Sequence, residues 1–393
     1  MAKVGAAGIE SLQGTALPLQ RRRLMLGAVA ACAAFSGSIG AQVAQAGNRL
    51  DELARLTNRR YGFAVDPSYT STEPAASLLR EHAGVITAEN AMKWRRVENI
   101  AGLADYSAGD RVADLASSLK AQLRGHTLAW HQSTPGYLTT ASPSDFIVAQ
   151  TAHLEAMTKR YQGRIHTWDV LNEVVDGDAK NGSGMRDSVL SKLWGTSRYP
   201  ALFELARAAD PKASLAYNDY GMEQDDAWCE RRRTAVLRLL EGWVTLKTPV
   251  DVMGLQAHLS LSRPFSPTVL LKFFDELRVL GLRIQITELD VRDAVPSGDI
   301  PSRDAAVAAL YRDFIGACFS HPAVEMVVMW NVSDDNSWVN RSATGQRRAD
   351  GLPMRPTLFD AQGQAKPAFA AVADAMRSAT VRFEGHRSST VPE

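Results

Sequence analysis

From about residue 47 onward, short apolar runs rich in β-branched residues alternate with longer stretches whose apolar positions recur at helical spacing. The short runs predict strands over 61–65, 84–87, 123–129, 166–173, 214–218, 252–259, 283–289 and 324–330. Between them the helical period is clearest over 151–161, 199–209 and 268–280. No stretch rich in Pro, Ser or Gly divides the series and no short-period repeat is present. One domain is therefore predicted, over 47–378, with a C-terminal tail over 379–393. Eight strands in strand–helix alternation across about 330 residues predict an α/β fold, a single (β/α)8 TIM barrel with elongated βα loops.

The first 46 residues lack this pattern. Arg21, Arg22 and Arg23 precede a weakly apolar run over 24–35, and Ala44-Gln45-Ala46 follows. A charged region, a short apolar region and a small-residue cleavage site, in that order, predict an export signal. The paired arginines ahead of Leu24 and Met25 point to the twin-arginine route, with mature protein beginning near Gly47 and exported to the periplasm or secreted. The apolar run is too short and too interrupted by Gly and Ser for a span, so no stable membrane association is expected after signal removal.

Composition mainly excludes. With 45% hydrophobic and 22% charged residues among 393, the chain can bury a sizeable core. A formal net charge of +1 with scattered basic residues leaves no footprint for nucleic acid. Arg231-Arg232-Arg233 is the densest internal basic cluster and is expected on a solvated helix face. Cys32 would leave with the signal. Cys229 and Cys318, in helix-like segments without metal or redox spacing, are expected to be structural thiols, a disulfide between them being left open. A monomer is expected.

In a barrel of this kind the site lies at the carboxyl ends of the strands, so the polar residues closing each strand are the ones to inspect. The second strand closes on Glu89, Asn90 and Lys93; the third gives His126, with Trp130 and His131 beyond; the fourth gives Asn172 and Glu173. The fifth closes on Asn218, Asp219 and Tyr220, the sixth on Gln256 and His258, and the seventh on Glu288 and Asp290. Trp330 closes the eighth, with Trp338 in the loop after it. A lone glutamate at a strand end is usually only solvated. Two on separate strands, Glu173 and Glu288, are what acid-assisted hydrolysis of a glycosidic bond needs: one protonates the leaving oxygen and one attacks or activates water. Indole faces suit the apolar faces of sugar rings, and amides, imidazoles and ammonium groups suit ring hydroxyls. His126, His131 and His258 lack the spacing of known zinc sites, so no metal and no cofactor is expected. His258 is expected to bond a neighbouring carboxylate and fix its ionisation.

These segments resemble family 10 of the glycoside hydrolases, the retaining endo-1,4-β-xylanases. The matching stretches are 86–94, 124–131, 168–173, 217–220, 254–259, 286–291 and 330–338, followed by 356–360 and 366–368, in family order. The resemblance implies hydrolysis of internal β-1,4 bonds of xylan and xylo-oligosaccharides, with retention of anomeric configuration by double displacement and without a cofactor. It makes Glu173 the acid/base and Glu288 the nucleophile. Asn172 would bond the 2-hydroxyl of the sugar being cleaved and, with His258, favour charge on Glu288; His258 would bridge Glu288 and Asp290, with Gln256 near the same carboxylate. Lys93, His126 and Trp330 would shape the subsite of the reacting sugar. Glu89, Asn90, Trp130 and Trp338 would hold that sugar and the next one toward the non-reducing end, with Tyr220 on the leaving-group side. The chain departs from the family pattern at Ser133 in place of Gln, Tyr137 in place of Trp and Gly221 in place of Asn; these positions touch the cleft walls, not the catalytic pair. Two other readings stay open: a carbohydrate-binding protein without turnover, and a β-1,4-glucanase. Pockets for xylose and glucose differ by one hydroxymethyl group, which supplies only about 1–3 kcal/mol of discrimination.

Overall fold

The structure, a computed structural model, describes residues 47–179, 184–294, 298–341 and 348–389, with side chains described to Val381. The expected export signal over 1–46, with Cys32, lies outside the described residues.

Among the described residues nine strands form: β1 Arg60–Val65, β2 Val85–Ala88, β3 Gln122–Trp130, β4 Ile165–Asn172, β5 Ser214–Asp219, β6 Val252–Leu255, β7 His258–Ser260, β8 Arg283–Arg292 and β9 Val324–Trp330. Each pairs in parallel with its neighbour, and a β6–β8 pairing closes β1–β6, β8 and β9 into a ring of eight. This is the predicted (β/α)8 barrel. Parallel strands covered on both faces bury nearly every residue, which is why the runs read as almost continuously apolar. Helices return the chain between strands. Pro143–Arg160 starts where the Ser142 hydroxyl accepts from the Asp145 amide and Pro143 presets the first turn.

The barrel interior is not purely apolar. Arg124 of β3 reaches Asp169 of β4 at 2.6 and 3.2 Å and Gln285 of β8 at 2.7 Å, all three residues being fully buried. The bidentate pair and its amide neighbour leave no uncompensated charge and tie three strands together beneath the site. Above this layer the ladders slip, between His126 and Ala129 on β3 and between Ile286 and Leu289 on β8. Such irregularities change which side chains point inward at the barrel rim.

Three expectations need correction. The sixth predicted strand, 252–259, is broken in two: Ala257 has φ +58°, and its amide donates to the buried Glu223 carboxylate at 2.9 Å instead of to a strand. Arg231–Arg233 is not a solvated face, since Arg232 and Arg233 are buried. The helix Ala227–Thr245 packs under the loop after β5, where Arg232 pairs with Asp219 at 2.6 Å and Arg233 donates to the carbonyls of Met222 and Gln224. Those loop carbonyls have no strand partner, and guanidinium forks satisfy them. The tail expected from 379 is helical instead: Pro367–Ser389 is one helix, and Ala379 and Thr380 are buried. Cys229 and Cys318 are buried and free, so the disulfide left open does not form. Burial raises both thiols, Cys229 to about 11. Among the described residues no helix is long and apolar enough to cross a membrane.

Candidate active site

Glu173 sits one residue past β4, in the left-handed region at φ +58°. For a residue with a Cβ this conformation costs about 1–3 kcal/mol, and it persists only where the surroundings hold it. Here its amide donates to the Asn218 carbonyl at 2.9 Å, and its carbonyl accepts from Arg186 Nε at 2.9 Å. The carboxyl then meets two neutral donors, Trp130 Nε1 on Oε2 and Gln256 Nε2 on Oε1, each at 2.9 Å. Burial raises its pKa, and the negative charges of Asp219 and Glu288 add to the rise against these two hydrogen bonds.

Glu288, on β8, is equally buried but differently surrounded. Asn218 Nδ2 donates to Oε1 at 2.8 Å, and His258 Nε2 lies 3.3 Å from Oε2. Burial pushes this carboxyl up as well. The hydrogen bond from His258 and the positive charges of His126, His258 and Lys93 outweigh burial and bring it to about 2. His258 itself is buried, which lowers its pKa, yet Asp290 and Glu288 on either side raise it to about 9. Its Nδ1 lies 3.0 Å from Asp290 Oδ1, whose other oxygen accepts from Trp338 Nε1 at 2.6 Å. The imidazolium is therefore clamped between two carboxylates, as expected.

A chain of amides joins the two glutamates. Gln256 Nε2 reaches Asn172 Oδ1 at 3.4 Å as well as Glu173, and Asn218 Nδ2 reaches the same Asn172 oxygen at 3.0 Å as well as Glu288. Thr287 Oγ1 donates to Asn218 Oδ1 at 2.7 Å and so fixes which end of that amide faces the carboxylate. Gly254 makes room, because a Cβ there would collide with Asn218 Oδ1.

These contacts revise two expected partners. Gln256 bonds Glu173, not Glu288: it stands just before the break after β6, and its amide bonds the Asp219 carbonyl of β5, on the Glu173 side. Asn172 does not help hold Glu288; Asn218 does. Asn218 closes β5 and was visible as a strand end, but which of two neighbouring amides meets the nucleophilic carboxylate depends on the register between β4, β5 and β6.

The cleft above this pair has a volume of about 630 Å³. Of the expected site residues, Glu173 and Glu288 line it together with Lys93, His126, Trp130, Tyr220, Gln256, His258, Trp330 and Trp338. Glu89, Asn90, Asn172 and Asp290 stand behind the wall and hold these groups in place. Asn90 Oδ1 accepts from Lys93 Nζ at 3.0 Å, and Lys93 lies 4.8 Å from the Trp130 ring centroid. Burial lowers the pKa of this lysine, although Glu288, Glu89 and Glu173 pull the other way. Glu89 accepts from Asn331 at 2.7 Å and from Arg341 at 2.9 and 3.1 Å. His126 Nδ1 is 2.8 Å from Asp169 Oδ2, which links the cleft to the polar layer below. Arg186 carried no signal in the sequence; it lies in the loop after β4, its amide bonded to the Val174 carbonyl, and its guanidinium joins the Glu173 carbonyl at 2.9 Å to the Tyr220 hydroxyl at 2.8 Å. Among the described residues no cluster of His, Cys, Asp or Glu could hold a metal ion.

Known proteins bear on this arrangement in three ways. The family model for glycosyl hydrolase family 10 matches residues 49–375. Endo-1,4-β-xylanase 3 of Hypocrea jecorina is 30% identical over 83% of this chain and 85% of its own length. Endo-1,4-β-xylanase A of Phanerodontia chrysosporium is 32% identical over 77% of this chain and 72% of its own. Among solved structures, xylanase 10B of Thermotoga petrophila in complex with xylobiose superposes with a TM-score of 0.74 at 27% identity, over 84% of this chain and 98% of that one. Fold, strand-end carboxylates and matches over most of the length agree: the chain belongs to glycosyl hydrolase family 10.

Proposed function

We propose that this protein is an endo-1,4-β-xylanase that cleaves internal β-1,4 bonds of xylan with retention, by double displacement. The observation that carries the assignment of roles is the opposite electrostatic treatment of two buried carboxyls joined through Gln256, Asn172 and Asn218. Glu288, held ionised among cations, attacks the anomeric carbon. Glu173, raised by burial and flanked by neutral donors, keeps its proton to a higher pH and gives it to the leaving oxygen. After departure Glu173 is the base that activates water, which releases the sugar from Glu288. Divergent pKa values in neighbouring carboxyls are what an acid and a nucleophile require at one pH.

The cleft supports xylan as the substrate. Trp330 and Trp338 offer flat faces for pyranose rings, and Lys93 and His126 offer donors to their hydroxyls. The names of the relatives, endo-1,4-β-xylanases, support the same substrate. Export through the signal expected over 1–46 belongs to this reading, since xylan is an extracellular polymer. Time-resolved NMR of the first products from xylohexaose is the test. The β-anomer appearing first supports retention; the α-anomer from the start rejects it.

A further inference from the structure

The strand that carries Glu288 does not stop at the site. It continues four residues to Arg292, and β7 supplies a parallel partner for the last three: His258 for Asp290, Leu259 for Val291 and Ser260 for Arg292. Side chains two apart on a strand share a face, so Glu288, Asp290 and Arg292 stand in one row. The first is the proposed nucleophile and the second anchors His258. The third places a cation on the cleft wall, about 13 Å along the strand from the first.

Arg292 borders the cleft together with Ser260, Ser262, Arg263 and Trp338. Its guanidinium carbon lies 5.0 Å from the centroid of the Trp338 ring. Its Nε is buried without an acceptor, and among the described residues no carboxylate pairs with it. The other arginines around the cleft differ. Arg263 donates to Asp226 at 2.7 Å, Arg341 to Glu89, Arg232 to Asp219, and Arg186 to the Glu173 carbonyl. A guanidinium cannot shed its charge, and its planar fork matches the two oxygens of a carboxylate. Neutral xylan brings only hydroxyls to such a group, whereas an acidic side group brings the complementary charge.

We propose that Arg292 determines specificity for acidic xylan, its terminal nitrogens receiving the carboxylate of a uronic acid substituent on the bound chain. The Ser260 and Ser262 hydroxyls on the same wall bond each other at 2.7 Å and add polar groups beside the guanidinium. The inference rests on the endo-xylanase reading and deepens it.

The test compares kcat/KM on glucuronoxylan with kcat/KM on the same polymer after reduction of its uronic carboxyls to alcohols. The wild-type enzyme should prefer the acidic polymer by about five- to tenfold at low salt, and the preference should shrink as ionic strength rises. Arg292→Gln should bring the ratio close to one by losing rate on the acidic polymer alone. Arg292→Lys should keep part of the preference, because it keeps the charge without the fork. Equal losses on both polymers in Arg292→Gln, or a wild-type ratio near one, overturn this inference and leave the endo-xylanase reading standing. Failure of the wild-type enzyme to cleave either polymer rejects both.

Discussion

Glu173, just past the end of β4, and Glu288, within β8, are the same residue type, buried to a similar degree and accepting two side-chain hydrogen bonds each, yet they come out opposite. Glu173 meets an indole and an amide; Glu288 meets an amide and an imidazolium, with Lys93 and His126 behind. Neutral donors do not overcome the cost of burying a carboxylate here, and cations do. The difference between acid and nucleophile thus lies in the charge of the partners, not in the number of hydrogen bonds. His258 is the hinge of this contrast, because Asp290 keeps it charged and it in turn keeps Glu288 charged.

The largest way to break the comparison is to remove the nucleophile. Glu288→Ala should lower kcat on xylan and on aryl xylosides by about four orders of magnitude or more, since no covalent intermediate can form. Steady-state assays on both substrate types check this; retained activity on either removes Glu288 from the role.

Next comes the loss of the cation that separates the two sites. His258→Gln leaves Glu288 buried but takes away its main positive neighbour, so its pKa should climb from about 2 to above the ordinary value near 4.5. Glu288 acts as the anion, so activity falls as pH drops through its pKa. The acid limb of the kcat/KM profile should therefore move up by two or more pH units, about a fourfold loss at pH 4 that grows to on the order of a hundredfold at pH 2. An unshifted acid limb would contradict the role given to His258.

Gln256→Ala sharpens the other side. Its hydrogen bond lowers the Glu173 pKa, so its removal should raise that pKa further and move the alkaline limb to higher pH, with about a tenfold loss of kcat from poorer positioning. Had Gln256 served Glu288, as the family resemblance suggested, the acid limb would respond instead.

The smallest effect is on stability. Because the folded-state pKa of Glu173 lies above its ordinary 4.5, its contribution is fully present below about pH 4.5 and is lost as pH rises through the raised value. Glu173→Gln removes that loss. The variant should melt within a degree of wild type at pH 4 and about 2 °C higher at pH 7, measured by calorimetry. Glu288 has the opposite sign: its depressed pKa contributes stability above pH 4.5 that disappears as pH falls toward about 2.

Periodicity located the barrel well where strands are simple. The predicted 324–330 strand coincides with Val324–Trp330, and the 199–209 helix with Tyr199–Ala209. It failed where tertiary partners override local pattern. Nothing along 252–259 reveals that Glu223, a buried carboxylate from another loop, takes the Ala257 amide and breaks the strand. Nor can the run 283–289 show that a three-residue strand will extend it to Arg292. Arg232 looked like a surface charge because its partner, Asp219, is 13 residues away and faces it only once the loop after β5 has folded over the helix. The site was legible as a set of strand-end residues, since barrel geometry gathers them in one place. Which amide serves which glutamate was not, because Asn172, Asn218 and Gln256 lie within reach of one another and only the register decides.

The assignment of acid to β4 and nucleophile to β8 is tested most directly by chemical rescue with azide, which needs no general base. Glu173→Ala should still be glycosylated by an aryl xyloside with a good leaving group, and azide should then accelerate turnover and give the β-xylosyl azide. Rescue of Glu288→Ala with formation of the β-xylosyl azide, and of Glu173→Ala only as the α-xylosyl azide, would show that the two roles are reversed.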